Sequence, residues 1–198
     1  MMTAYDAQGF RIVGGPEWVV SRRWDVEAKP DRVVSPNQLR PMLRSLLEDR
    51  FQLRTHVEAR QLPVYELSVD RKGSKVQRAK ESETNADVRV GTGLIQLTKA
   101  TAATFASQLS YALGRPVIDK TNLAGEFNFA LEWTPEPGED DGPTTSGLPP
   151  ATPVEPASTQ DGPSIFPAIQ QQLGLRLKSA RGLVDVIVID QVHMPADN

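Results

Sequence analysis

Asp119, Lys120 and Thr121 place a carboxylate, an amine and a hydroxyl side by side in the chain. These groups can hold a polar ligand, or serve in acid–base chemistry where burial shifts their pKa values. They also stand between a short apolar run and an Asn-Leu-Ala-Gly turn. Asp119 and Thr121 can therefore hydrogen-bond the amides of that turn while Lys120 stays in water. We predict a candidate binding site here and leave the structural alternative open.

Trp18 is the second candidate binding residue, because it follows the Gly14-Gly15-Pro16 turn and carries a large apolar ring. An exposed tryptophan can anchor a partner protein, whereas a buried one belongs to the core.

Other chemical motifs are missing from the sequence. His56 and His193 are the only histidines, and neither has a further ligand at the spacing of a zinc motif such as HExxH. The chain has no Cys, and therefore no disulfide, thiol nucleophile or thiolate metal site. It has no GxSxG elbow, and Gly91-Thr92-Gly93 is typical of a turn. We predict no catalytic residue, no metal site and no cofactor.

The composition excludes several partners. With 22 Lys and Arg against 25 Asp and Glu, the formal net charge is -3, so no global positive field favours nucleic acid or an anionic membrane. No apolar run is long enough to form a transmembrane segment. Residues 1–6 lack the features of a signal peptide, which predicts a cytoplasmic protein if this start is genuine. The oligomeric state is not determined by the sequence.

The elements that position the candidates recur in one order: an amphipathic helix, a short strand, a turn and a longer strand. The helices are predicted to begin at Ser35, near Thr98 or Thr101, and at Ser164. The strands that follow them are predicted at 51–55 and 62–69, at 116–119 and 126–133, and at 175–177 and 184–189. Strands at 10–13 and 24–29 would complete a fourth copy, whose helix is truncated near residues 4–5.

Residues 134–163 differ from the rest of the chain, with 8 of its 16 prolines and no Lys or Arg. This composition predicts a flexible acidic loop, which is either a lid or partner-binding segment or a tolerated insertion. We predict the α+β class, with repeated αββ units forming two packed small sheets, helices on one face and this loop inserted. The predicted halves span 1–80 and 88–195.

Four stretches resemble a soil-bacterial family of unknown function, often labelled soil-associated protein and abundant in acidobacterial genomes. They include LGRPVIDKTNLAGEFNFALEW at 113–133; the others are 10–29, 39–69 and 164–195. The chain departs from the family at Asn122, where a Gly is usual, and in lacking an apolar helix and longer leader before its first strand.

The resemblance implies a location and a role but no activity. Family members typically look exported, and in some proteins a similar domain follows a membrane-embedded, BlaR-like metallopeptidase region. The resemblance therefore implies a periplasmic or extracellular sensing or contact module. The αββ units are also similar, more weakly, to the short amino-terminal domains of secretins and TonB-dependent receptors, which are periplasmic contact modules.

Sheets of this kind leave open edges, to which an extended peptide can add by backbone hydrogen bonds. Strands 62–69 and 88–97 are the candidate edges, although Pro63 removes one donor. Our leading hypothesis is a non-catalytic binding or protein-contact domain that takes an envelope protein or peptide. The alternative is a hydrolase of an envelope or extracellular polymer that uses Asp119, Lys120 and nearby acids such as Glu126, and a remnant without a role of its own is a third possibility.

Overall fold

A computed structural model describes residues 1–24, 26–27, 29, 35–80, 86–135 and 162–195. The helices are α1 (Met2–Tyr5), α2 (Trp18–Ser21), α3 (Pro36–Phe51), α4 (Ala102–Ala112) and α5 (Ile165–Ala168), and α5 continues as a π-helical turn over Ile169–Leu173. The strands are β1 (Ile12–Gly14), β2 (Arg54–Val69), β3 (Gln77–Arg78), β4 (Asp87–Gly91), β5 (Leu94–Ala100), β6 (Val117–Asp119), β7 (Phe127–Glu132) and β8 (Leu175–Gln191).

The strands form two four-stranded sheets, which confirms the α+β class. One sheet has the order β1-β8-β2-β6 and contains parallel pairs, β1 with β8 and β2 with β6. The other has the order β3-β7-β5-β4, and its strands are antiparallel.

The chain forms two compact units, residues 1–62 with 182–198 and residues 63–181. The predicted halves, 1–80 and 88–195, follow the order of elements along the chain, whereas these units follow contacts in space. The two divisions therefore differ for residues 63–80 and 182–195.

The core of unit 63–181 lies between the antiparallel sheet and the helices α4 and α5, the latter with its π-helical turn. Buried side chains alternate along β7 as predicted, with Phe127, Phe129 and Leu131 on one face. The ring of Phe105 from α4 stacks on that of Phe129 with a centroid distance of 4.5 Å. Strand β5 adds Ile95 and Leu97 to the same cluster. Alternation in the sequence thus gives these strands one apolar face.

Two helices of this unit agree with the sequence predictions: α4 begins after Thr101, one of its two predicted starts, and α5 begins after Ser164. The Thr101 hydroxyl caps α4 by accepting a hydrogen bond from the Thr104 amide at 3.1 Å. Gly114 and Gly174, which follow the two helices, have left-handed φ angles of 58° and 60°. Phe166, predicted on the apolar face of α5, is instead 42% exposed.

In unit 1–62 with 182–198, α1 packs on α3. Arg44 of α3 donates to the Ala4 carbonyl at 2.8 Å, and Arg40 pairs with Asp6 at 3.1 Å. At the start of α3, the Gln38 side chain accepts from the Ser35 amide at 3.0 Å, as in a capping box. The helix continues through Pro41.

The predicted strand-turn-strand pattern is wrong for two of the three repeats. Residues 54–69 form one uninterrupted strand, and so do residues 175–191, across the predicted turn at 180–182. Neighbouring strands of the sheet keep both segments extended, a pairing that local turn propensity does not reveal. The described residues of 24–29 contain no strand, and β1 pairs instead with β8, Ile12 opposite Ile187.

The middle repeat follows the prediction more closely. Strand β6 is short and lies at the edge of its sheet, and a turn leads from it to β7. Asn122 and Gly125 in this turn have positive φ angles of 55° and 108°. Most of the predicted loop at 134–163 lies outside the described residues. Its two ends meet, because the Thr134 amide donates to the Pro163 carbonyl at 3.0 Å.

Candidate functional site

Strand β4 forms an outer edge of the antiparallel sheet, and its five residues are all exposed. It follows β5 in the strand order, and no described strand pairs with its other side. Val88 and Val90 are 54% and 50% exposed, so one face of this short strand presents two β-branched apolar side chains to solvent. An open edge with apolar side chains is a template for pairing with another strand.

The register of the β4–β5 hairpin shows which face each residue occupies. Val88 lies opposite Leu97 and Val90 opposite Ile95, and both partners are buried in the core. Directly opposed residues of paired strands project to the same face, so the two valines continue the core face outward. The other face carries an ion pair, in which Arg89 Nε donates to Asp87 Oδ2 at 2.9 Å.

The same register shows which backbone groups of β4 point away from β5. The Trp133 amide donates to the Gly93 carbonyl at 2.9 Å, which places the hydrogen-bonded pairs between β5 and β7 at the odd-numbered residues of β5 as far as Leu97, where the register shifts. The even-numbered residues of β5 therefore bond to β4. Because Val88 and Val90 lie opposite odd-numbered residues, their N–H and C=O groups point away from β5, toward the open side.

Of the two edges predicted from the sequence, the segment 88–97 contains the open one, in β4. The other, 62–69, is wrong as an edge, because it belongs to β2, which stands between β8 and β6. Its residues Tyr65–Leu67 pair with Val117–Asp119 of β6.

In the Asp119, Lys120 and Thr121 triplet, the hydrogen bonds of the structural alternative are present, and a binding role for the triplet stays a prediction. Asp119 Oδ1 accepts hydrogen bonds from the Thr121 amide at 2.8 Å and from the Thr121 hydroxyl at 2.7 Å. The Thr121 oxygen accepts in turn from the Leu123 amide at 3.2 Å. Thr121 is buried and Lys120 is exposed. The side chains of Asp119 and Thr121 thus stabilise the turn between β6 and β7, and Lys120 takes no part in these bonds.

We predict that Asp119→Ala lowers the free energy of unfolding by about 1–3 kcal/mol, because it leaves the buried hydroxyl and amide of Thr121 without their acceptor. Lys120→Ala, in the adjacent exposed position, is the matched control and should change stability by less than about 0.5 kcal/mol. Urea denaturation followed by circular dichroism measures both. Equal effects of the two substitutions would contradict a structural role for Asp119.

Trp18 begins the short helix α2 and is half-buried. Its ring meets Trp24 edge-to-face with a centroid distance of 6.4 Å, and Trp24 meets the buried Phe51 at 5.9 Å. Trp24 is the more exposed of the two tryptophans, at 39%. Trp18 is thus part of an aromatic cluster, and its role as an anchor stays a prediction.

His56 belongs to a polar cluster that the sequence did not indicate. Its Nδ1 atom lies 2.8 Å from a carboxylate oxygen of Asp190, and Nε2 lies 3.9 Å from Glu58. Glu58 is also bound by Arg60 at 2.8 Å, and this hydrogen bond lowers the pKa of Glu58 below its usual value. All four side chains are substantially exposed, so the cluster is solvated. Within the described part of the chain, no group of three or more His, Cys, Asp or Glu is arranged to hold a metal ion.

An open groove of about 590 Å³ lies at the carboxyl end of α3 and the start of β2. Acidic, basic and uncharged polar side chains line it, together with Leu53: Glu48, Asp49, Gln52, Arg54, Thr55 and Gln191. The residues assigned to a hydrolase lie elsewhere. Of these residues, Glu126 pairs with Lys99, with 3.9 Å between Oε2 and Nζ, and Asp119 accepts a hydrogen bond from the Thr121 hydroxyl.

Comparison with models of known protein families identifies the family to which the chain belongs. The family described as "Protein of unknown function (DUF3738)" matches residues 1–192. The chain belongs to this family. The match covers all four stretches that carried the resemblance, up to position 192, and confirms an uncharacterised domain. No curated protein and no solved structure matches the chain significantly.

In this DUF3738 chain, the sequence contains a signal for the hairpin to which the open edge belongs. Alternation of Asp87, Val88, Arg89 and Val90 before a glycine turn is typical of a hairpin. What the alternation does not show is which strand of the hairpin lies outside. Among the described helices, none has both the length and the apolar character needed to cross a bilayer.

Proposed function

We propose that this DUF3738 chain is a non-catalytic protein-contact domain of the bacterial cell envelope. It binds an extended segment of an envelope protein or peptide along the outer edge of β4. The observation that carries the proposal is the open edge itself, with the backbone groups of Val88 and Val90 pointing outward. Backbone hydrogen bonds supply affinity in such complexes, and alternate side chains supply specificity.

The two faces of β4 define the partner strand. On the core side, the exposed valines favour a partner with apolar residues at alternate positions. On the other side, Asp87 and Arg89 favour a partner with opposite charges facing them. The partner is therefore an amphipathic strand, and a uniformly apolar or uniformly charged segment fits less well.

The location in the envelope rests on the family resemblance, since related proteins typically look exported. The alternative function, a hydrolase of an envelope or extracellular polymer, assigned its chemistry to Asp119 and Lys120. The two hydrogen bonds that Asp119 Oδ1 already accepts from Thr121 favour the contact domain over this alternative.

The test compares two substitutions of Val88. Proline removes the N–H that points outward, but it removes no hydrogen bond to β5. It therefore blocks strand addition and leaves the pairing of the hairpin intact. Threonine keeps the N–H and the β-branched shape, and it is the matched control. Tagged domains are incubated with solubilised envelope from the source bacterium, and captured proteins are quantified by mass spectrometry. Circular dichroism and thermal melting establish that both variants fold.

We expect at least one protein captured by the wild type and by Val88→Thr, and reduced about tenfold or more with Val88→Pro. Capture that is equal for the proline and threonine variants would place the contact surface elsewhere. Absence of any captured protein, together with polymer hydrolysis that Asp119→Ala abolishes, would favour the enzyme.

A further inference from the structure

Strand β4 is itself an amphipathic strand of the kind that its open edge favours as a partner. It alternates the charged residues Asp87 and Arg89 on one face with Val88 and Val90 on the other. We propose that a second copy of this chain pairs with it, antiparallel, with Val88 opposite Val88 of the second copy. This inference rests on the proposed function, because both require a strand to add at this edge.

Symmetry restricts the registers that two identical antiparallel strands can adopt. Their two-fold axis stands perpendicular to the sheet, so the same face of each copy lies on the same side. Opposed side chains project to one side, and therefore a residue of the core face must meet a residue of the core face. The axis then passes through a pair of identical residues, at position 87, 88, 89 or 90.

Charge selects among these registers. An axis at Asp87 or at Arg89 sets two like charges directly opposite each other, which is destabilising. An axis at Val90 sets Arg89 opposite Gly91 and forms no ion pair. An axis at Val88 sets Asp87 of each copy opposite Arg89 of the other, so the two intrachain Asp87–Arg89 pairs join into a cluster of four charges of alternating sign. The register centred on Val88 is therefore the most favourable.

Backbone geometry agrees with this register. The N–H and C=O groups of Val88 point outward, so the two copies of Val88 can exchange reciprocal hydrogen bonds. By the same alternation, Val90 pairs with Ala86 of the second copy, which is also exposed. The half-exposed valines then lose water-accessible area on both copies. The two antiparallel sheets would join into one continuous sheet.

The interface is small, because a single strand contributes it. Contacts of less than about 1,200 Å² are typical of transient complexes. We therefore expect a reversible dimer that forms at high protein concentration. An envelope partner would have to displace the second copy, since both use the same backbone groups.

Cysteine cross-linking tests the register, because the chain has no cysteine of its own. Residues opposed in a hydrogen-bonded antiparallel pair have Cα atoms about 5.5 Å apart, a separation compatible with a disulfide. Val88→Cys should therefore cross-link under mild oxidation. Val90→Cys is the matched control: the two copies of Val90 are offset by four residues, or about 13 Å along the strands. We expect at least tenfold faster cross-linking at position 88, and equal rates or faster cross-linking at position 90 would overturn the proposed register.

Charge exchange tests the ion pairs independently. Sedimentation equilibrium at concentrations up to about 1 mM, the range for weak association, is run on wild type, Asp87→Arg, Arg89→Asp and the double variant. Each single change sets like charges across the interface and should weaken the dimer by about tenfold, and the double variant should restore it to within about threefold. Failure of the double variant to restore dimerisation overturns the proposal.

The two proposals fail in different ways. A wild type that stays monomeric in sedimentation, with slow cross-linking at position 88, excludes the second copy. If, in that case, Val88→Thr captures an envelope protein that Val88→Pro does not capture, the edge binds a partner other than a second copy, and the proposed function stands. If Val88→Pro changes neither capture nor sedimentation, both proposals fail.

Discussion

Replacing Gly174 by alanine is expected to lower the free energy of unfolding by about 2–5 kcal/mol. The residue has a left-handed φ of 60°, a conformation that costs an L-residue roughly 1–2 kcal/mol. An added Cβ would also collide with the backbone carbonyl of Gly73 and lie 3.0 Å from the Lys75 amide. Overpacking against groups that cannot move adds about 1–3 kcal/mol.

Gly114 is the matched control for this effect. It has nearly the same φ, 58°, but a Cβ built there meets no atom within 4 Å. Gly114→Ala should therefore cost only the conformational part, about 1–2 kcal/mol. Urea unfolding of both variants measures the difference. Equal decreases in the free energy of unfolding for the two variants would show that the backbone near Gly73 moves to accommodate the Cβ, and that close packing there contributes nothing.

Removing the Phe129 ring has the other large effect, an expected loss of about 3–5 kcal/mol for Phe129→Ala. The side chain is 2% exposed, and its ring stacks on Phe105 with only 6° between the planes. Truncation forfeits this stacking and leaves a cavity in the main cluster of unit 63–181. Phe166→Ala removes the same number of atoms at a site that is 42% exposed, where the ring meets Tyr65 edge-to-face at 5.4 Å, and should cost less, about 1–2 kcal/mol.

The comparison is made by urea denaturation at constant temperature, with the slope of the transition as a check on two-state unfolding. A loss at Phe129 no larger than that at Phe166 would mean that the apolar cluster repacks around the cavity. It would also contradict the assignment of this sheet as the main core.

Local patterns in the sequence predicted α4, β6 and β7 well. Thr101 caps its helix through a neighbouring amide, and Gly114 ends it, so both signals act within one or two turns of chain. Phe127, Phe129 and Leu131 alternate because one face of the strand is buried. Both patterns are visible in a single segment, without knowledge of its neighbours.

The same local reasoning was wrong for the two long strands. Ala180-Arg181-Gly182 has the composition of a turn, and the chain nevertheless stays extended from Leu175 to Gln191. Hydrogen bonds to adjacent strands outweigh a weak turn preference, and those neighbours come from distant parts of the sequence. The triplet at Asp119 is a related case, since its composition is compatible both with a binding site and with a turn.

The sequence by itself determined the α+β class, the carboxyl end of the helix at 102–112, the apolar face of β7 and the membership of the family. Each depends on residue types at short spacing, or on their order along the chain. Only the tertiary structure decided that β4 lies at the outer edge among the described strands, that 62–69 does not, and that Asp119 Oδ1 accepts two hydrogen bonds from Thr121. The physical reason is that a strand has the same alternation at the edge and at the centre of a sheet, and only its neighbours in space distinguish the two.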